Sequence, residues 1–285
     1  MSESRSDDLF GLVHLLEGSE SRRPAVDRPL DVEPRARPDF HREDRKGVPE
    51  VILAESKNER EVCEIAESFL RVRGRAIISR LDPALLEHLR QNFVGYQFEV
   101  STSCRMVVIR QPGAERPRTG GRVGIITAGT SDLPVAEEAR VLAEEMGCET
   151  VAIYDVGVAG IHRLFEPLHK MLEAAVDVIV VAAGMDGALP SVVAGLVNVP
   201  VIGLPTSVGY GFGGKGVSAL LSMLQTCSPG LVVVNIDNGV GAGATAAMIA
   251  NRVAAARRDQ HATSEDSPKQ RSSTPAASSA GDTLK

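Results

Sequence analysis

From residue 122 onward the chain alternates between short apolar runs and longer segments whose apolar positions return every three or four residues. The runs at 123–126, 150–154, 176–182, 199–204 and 231–236 are mostly apolar and rich in Val and Ile, which predicts buried strands. The segments 134–146, 163–174, 189–196, 217–226 and 243–255 carry the helical repeat. Strands with no polar face, each followed by a helix, predict a parallel sheet covered on both sides. Right-handed crossovers make an open, doubly wound sheet the simplest topology. Upstream, 50–54, 75–78 and 98–109 read as extended and 58–71 and 83–93 as helical, a small βαβαβ module. The fold class expected is α/β: a doubly wound parallel sheet preceded by a small α/β N-terminal module.

The polar stretches divide the chain. Residues 8–16 suit a short amphipathic helix, and 20–45 are rich in Pro, Arg and Asp, as a linker or wrapped arm would be. The segment 111–121, QPGAERPRTGG, is a hinge of turn formers and charges. From 257 the chain turns to Ser, Thr, Ala, Pro and charge, which predicts an unstructured tail over 257–285. The resulting division is 1–45 for helix and arm, 46–115 for the small module, 121–256 for the main domain and 257–285 for the tail.

Composition narrows the class. With 285 residues and 43% apolar residues, the chain can bury a sizeable core. A net charge of −6 argues against a nucleic-acid surface, which needs a basic excess. The four cysteines, Cys63, Cys104, Cys148 and Cys227, form no CxxC pair, so neither a zinc site nor a disulfide framework is expected. Asp177 and Asp186 interrupt the longest apolar run, and MSESRSDDLF has no signal-like pattern, so the expectation is a cytoplasmic protein without a membrane anchor.

Every strand of the second half ends in a turn of small and polar residues: Thr127 to Asp132, Asp155 to Gly157, Gly184 to Gly187, Pro205 to Gly209 and Asn235 to Gly239. Parallel strands put these turns on one edge, where ligands of open α/β sheets bind. Thr130, Ser131 and Asp132 at a helix start suit a ribose or phosphate, although Ser or Asp there also caps a helix. The stretch 209–216, GYGFGGKG, comes close to a P-loop but lacks its terminal Ser or Thr, so it reads as a glycine-rich flap rather than a site of nucleotide hydrolysis. Lys215 within it could meet a phosphate or simply be solvated. Arg42 and Arg45 could serve an anionic ligand or a solvated arm. Buried cysteine is usually a small apolar group, which is the plain reading of all four.

Taken together, VGIITAGTSD, YDVGVAGIHRL, VVAAGMDGALPSVVAGLV, PVIGLPTSVGYG, ALLSMLQTCSPG and VVNIDNGVGAG resemble the LarB carboxylase family of nickel-pincer cofactor biosynthesis. The C-terminal half is in turn similar to PurE, the aminoimidazole ribonucleotide carboxylase, a flavodoxin-like fold. HREDRKGVPEVILAESK resembles the family's entry into the first strand, so the resemblance spans about residues 39–251.

The resemblance implies carboxylation of the pyridinium ring of nicotinic acid adenine dinucleotide at C5 by CO2 or bicarbonate. It also implies phosphoanhydride cleavage that releases AMP and pyridinium-3,5-biscarboxylic acid mononucleotide. A thiolate adding to the electron-poor ring makes C5 nucleophilic, and Cys227 is the matching position. Asp186 and Asp155 are the implied carboxylates for proton transfer, and for a divalent metal such as Mg2+ if one is used. Asp186 stands where the family pattern has Glu. The substrate-binding candidates are Thr130, Ser131, Asp132, Arg163, Gly184, Ser207, Gly209, Asn235, Asp237, Arg42 and Arg45. His162 opens a helix and is equally read as a cap-region residue. The resemblance also implies a homo-oligomer, an octamer in purine carboxylases, with 243–255 as a contact helix. Two alternatives stand: an aminoimidazole ribonucleotide carboxylase or mutase of purine synthesis, and a nucleotide-binding module without chemistry. Against the first, Asp155-Val-Gly157 follows the second strand where that family has a Ser-Ala-His-Arg turn.

Overall fold

The computed structural model describes residues 37–265, with side chains described as far as residue 260. The helix expected at 8–16 and most of the arm at 20–45 lie outside the described residues. Two compact units form. One comprises Ile52–Glu99 and Val107–Ala114, and the other Arg42–Val51, Val100–Met106 and the chain from Glu115 onward.

A short helix α1 (Arg42–Lys46) belongs to the larger unit, and the smaller unit is built on β1 (Val51–Leu53), α2 (Glu59–Arg73), β2 (Arg75–Ser79), α3 (Pro83–Asn92), β3 (Gln97–Ser101) and β4 (Met106–Arg110). Asn58 and Glu61 form a reciprocal cap at the start of α2, and Gly74 ends the helix in the left-handed region at φ 71°. Asp82 caps α3 ahead of Pro83. The segment 98–109, expected as one extended piece, is two strands. The chain turns between them, with Arg105 at φ 53°. The sheet order is β1-β2-β4-β3, and β2 and β4 are antiparallel. The module is therefore not a plain βαβαβ unit. A polar turn, Ser101-Thr-Ser-Cys104-Arg105, breaks the run of extended residues.

The larger unit alternates strictly: β5 (Arg122–Thr127), α4 (Leu133–Glu145), β6 (Glu149–Ile153), α5 (His162–Glu173), β7 (Val178–Ala183), α6 (Leu189–Leu196), β8 (Val201–Pro205), α7 (Val217–Leu224), β9 (Leu231–Val233) and α8 (Gly239–Glu265). All five strands are parallel, in the order β6-β5-β7-β8-β9. That is the flavodoxin-like order, with its switch point between β5 and β7. β7 and β8 are buried at every residue, whereas the edge strands β6 and β9 are partly exposed. The apolar runs that predicted a doubly covered sheet belong to its centre, as burial on two faces requires. β9 ends at Val233, earlier than expected, and α8 runs to Glu265 through part of the stretch read as tail. Asn238 Oδ1 accepts from Gly241 N at 2.9 Å at the start of α8. The apolar face of α8, including Ala242, Ala246, Ala247, Ala250 and Ala254, is buried within the chain. Gly243 meets α4 at Ala139, so this face packs within the chain, while Met248 and Val253 of the same helix are exposed.

Candidate functional site

The C-terminal ends of the strands gather the turns that follow β5, β6, β7, β8 and β9 on one edge of the sheet. Seven non-glycine residues among those described have left-handed backbone, and Asp155 (φ 59°), Met185 (φ 51°), Lys215 (φ 60°) and Asp237 (φ 54°) belong to this one rim. Backbone held in such conformations outside glycine is costly, and it collects where loops are over-determined around a site. Asp155 N donates to Thr127 Oγ1 at 3.0 Å, and Val156 N to Thr127 O at 3.1 Å, so the β6 loop is pinned to the end of β5.

Asp132 ties the middle of the rim together. It is 3% exposed. Its Oδ2 accepts from Gly129 N at 2.9 Å and its Oδ1 from Thr206 Oγ1 at 2.6 Å. Burial raises its pKa, Asp237 adds to the rise, and hydrogen bonds from Thr206, Gly129 and the Gly184 backbone oppose it. Asp132 was a candidate ribose ligand. In the structure its oxygens brace the loops after β5, β7 and β8. Thr206, 74 residues away, completes this brace and was not singled out from the sequence. Gly184 also serves packing between loops. A Cβ there would lie 2.2 Å from Val208 O and 2.8 Å from Thr206 Oγ1, so no side chain fits at this position.

The surface left open to a ligand carries the other candidates. Thr130 and Ser131 are exposed on a single 3-10 turn, Thr130–Asp132. Asp186 is exposed on the β7 loop beside Met185. Ser207 is exposed, and its N–H donates to Asp237 Oδ1 at 2.8 Å, joining the β8 and β9 loops. Asn235 is exposed and Gly209 sits next to Met185. Arg163 Nη1 donates to Asp155 Oδ2 at 2.9 Å, so these two candidates are paired with each other. His162 is exposed at the first position of α5. Arg42 pairs with Glu50 of its own segment at 3.7 Å, and Arg45 is exposed on α1.

The carboxylates do not assemble a metal site. Among the described residues no group of three or more His, Cys, Asp or Glu is arranged to hold an ion. Asp155 is engaged by Arg163, and Asp186 lies on a different loop. These carboxylates alone do not make a protein-only cage for a divalent ion, and no step below is routed through one.

Cys227 departs from the convergence expected of it. It follows α7 and precedes β9, and in a parallel sheet that position is the opposite edge from the crevice. Val201 N, at the start of β8, donates to Gly230 O at 3.0 Å. Ser228 Oγ donates to Ser191 O at 2.9 Å. The five residues of β8 separate the two edges by roughly 16 Å. Within one chain the thiol is therefore not brought to the crevice. It is, however, exposed, whereas Cys104 and Cys148 are buried. Burial pushes those two thiols up to about 11. The helix that leads to Cys227 carries an exposed apolar stripe: Val217, Leu221 and Leu224 of α7 are 50%, 59% and 62% exposed, and Val232 of the edge strand β9 is 54% exposed.

The fold and the rim define an AIR-carboxylase type of α/β domain. Residues 122–273 match the family model described as AIR carboxylase, and residues 31–111 match the LarB/PurE-like N-terminal domain. The chain therefore belongs to the AIR carboxylase family, in its LarB-like two-domain form. An uncharacterized protein of Methanocaldococcus jannaschii is 44% identical over 223 residues, covering 77% of this chain and 86% of that one. The N5-carboxyaminoimidazole ribonucleotide mutase of Thermotoga maritima is 35% identical over 135 residues, 45% of this chain and 74% of the mutase. That of Mycobacterium tuberculosis is 33% identical over 153 residues, 52% of this chain and 80% of the mutase. No helix among the described residues is long and apolar enough to cross a membrane.

Proposed function

We propose that this protein carboxylates the pyridinium ring of nicotinic acid adenine dinucleotide at C5 and hydrolyses its phosphoanhydride, releasing AMP and pyridinium-3,5-biscarboxylic acid mononucleotide. The observation that carries the reading is an exposed thiol, Cys227, in an AIR-carboxylase-type domain joined to a LarB/PurE-like N-terminal domain. Thiolate addition at ring carbon 6 forms a C–S bond and gives the ring nitrogen its electron pair back. The resulting dienamine attacks CO2 from C5, forming the C–C bond. Asp186 takes the C5 proton, and the thiolate leaves as the ring regains aromaticity. Water then cleaves the phosphoanhydride. One hard carboxylation is thus divided into easier steps through a covalent intermediate. Thr130 and Ser131 hold a phosphate at the switch point. Arg163, oriented by Asp155, meets a second anionic group.

In this reading the thiol takes part between copies. It stands at the far edge from its own crevice, so it acts in the crevice of a second copy. The exposed apolar stripe on α7 is the surface by which copies meet.

The test is to incubate the protein with the dinucleotide and bicarbonate and to follow AMP release and gain of one carboxylate by mass spectrometry. Cys227→Ser is expected to abolish ring carboxylation, and Asp186→Asn to slow it at least a hundredfold, the usual size of a lost general base. Co-assembled Cys227→Ser and Asp186→Asn chains should recover activity, because roughly a quarter of the sites in a random mixture pair an intact thiol with an intact carboxylate. Full activity in Cys227→Ser would remove the covalent route. An inactive mixture would remove the shared site.

A further inference from the structure

The loop between β8 and α7 carries two aromatic side chains on its outside. Phe212 is 111% exposed and Tyr210 83% exposed, the most exposed of the large apolar residues described. They stand one residue apart in the flap 209–216, GYGFGGKG. The flap is tethered at its base: Ser218 Oγ donates to Met185 O at 2.5 Å and to Gly213 O at 3.1 Å, and Gly209 lies beside Met185. Its root, Thr206, is the residue that holds Asp132. Met185 is itself 46% exposed, so three apolar side chains rise from the same stretch of rim. The same loop holds Lys215 in the left-handed region at φ 60°. Lys215 is exposed, and among the described residues no carboxylate lies within ion-pair distance of it.

Two rings left in water beside an unneutralised ammonium form a surface for a ligand with a flat face and a negative charge. A nucleotide has both. Stacking uses the face of any base and is tolerant of its identity, and a lysine meets phosphate as a point charge. We propose that the 209–216 flap is a nucleotide clamp. Tyr210 and Phe212 cover the adenine of the dinucleotide, and Lys215 meets the phosphate attached to it. The assignment to adenine rests on the substrate reading above. It leaves the pyridinium end for the thiol of the second copy.

The chain has no Trp, so Phe212→Trp places a single indole on the flap of the 285-residue chain. AMP is expected to quench its emission, and ribose 5-phosphate to leave it unchanged. An equal response to both ligands, or none to AMP, overturns the clamp. Emission that AMP no longer changes once the copies have assembled also overturns it, since a second copy would then cover the flap. As a second measurement, Tyr210→Ala with Phe212→Ala should raise the Kd for AMP at least tenfold, the scale of stacking lost per base, while thermal stability is unchanged. An unchanged Kd overturns the clamp. If AMP quenches the indole but the dinucleotide gives no carboxylated product, the substrate reading fails and the clamp stands. If product forms at wild-type KM in the double alanine variant, the clamp fails and the substrate reading stands.

Discussion

At position 132 a carboxylate that is 3% exposed gathers donors from three successive loops. Removing it strands the Thr206 hydroxyl and the Gly129 N–H without an acceptor. Asp132→Ala should therefore cost about 3 kcal/mol, the sum of donors left unpaired away from water, read as a lowered midpoint in chemical denaturation. The pH dependence has a definite sign. Burial raises the folded pKa, so the associated stability is complete below the ordinary carboxylate range and is lost as pH climbs through the raised value. The advantage of wild type over Asp132→Asn should narrow as pH rises, in urea melts taken across a pH series. From the sequence, a Ser-Asp pair after a buried strand pointed correctly to the switch point. Which way the carboxylate turns was not legible, because its acceptor role is set by a hydroxyl 74 residues further on.

At the scale of elements, α4 and α8 lie so close that their backbones nearly touch. A Cβ at Gly243 would come 2.4 Å from Ala139 O, a main-chain atom that cannot swing aside. Helix propensity alone would make Gly243→Ala stabilising by about 1 kcal/mol. Overpacking against backbone costs about 1–3 kcal/mol and wins, so the variant should melt at a lower temperature than wild type. The strands and helices of the larger unit were legible because each keeps one period along its length. The start of α8 was not, since Gly239-Val-Gly241-Ala-Gly243 has poor helix formers whose use is close approach to α4. Its end was hidden for a similar reason. Arg257 and Arg258, read as the beginning of a polar tail, bond Asp177 and the carbonyls of Gly120 and Thr119. The hairpin of β3 and β4 was missed because a single apolar-rich stretch has no period that marks where it reverses.

For the molecule as a whole, the rule that collects the turns on one edge also sends residue 227 to the other, because it precedes a strand where the crevice residues follow one. The chain order held this information, but the resemblance to a covalent carboxylase outweighed it. Leu221→Glu puts a charge at the centre of the exposed α7 stripe. Light scattering should show smaller assemblies, and carboxylation should fall at least tenfold, while AMP still binds to the isolated copy. The shared site proposed above would have each copy give and receive at different places. A copy whose sulfur alone has been alkylated would still lend its pocket to one neighbour while failing another, so turnover should fall in step with the fraction of alkylated chains. A copy spoiled at both thiol and pocket would silence two centres at once, so turnover should then fall faster than the fraction of such chains.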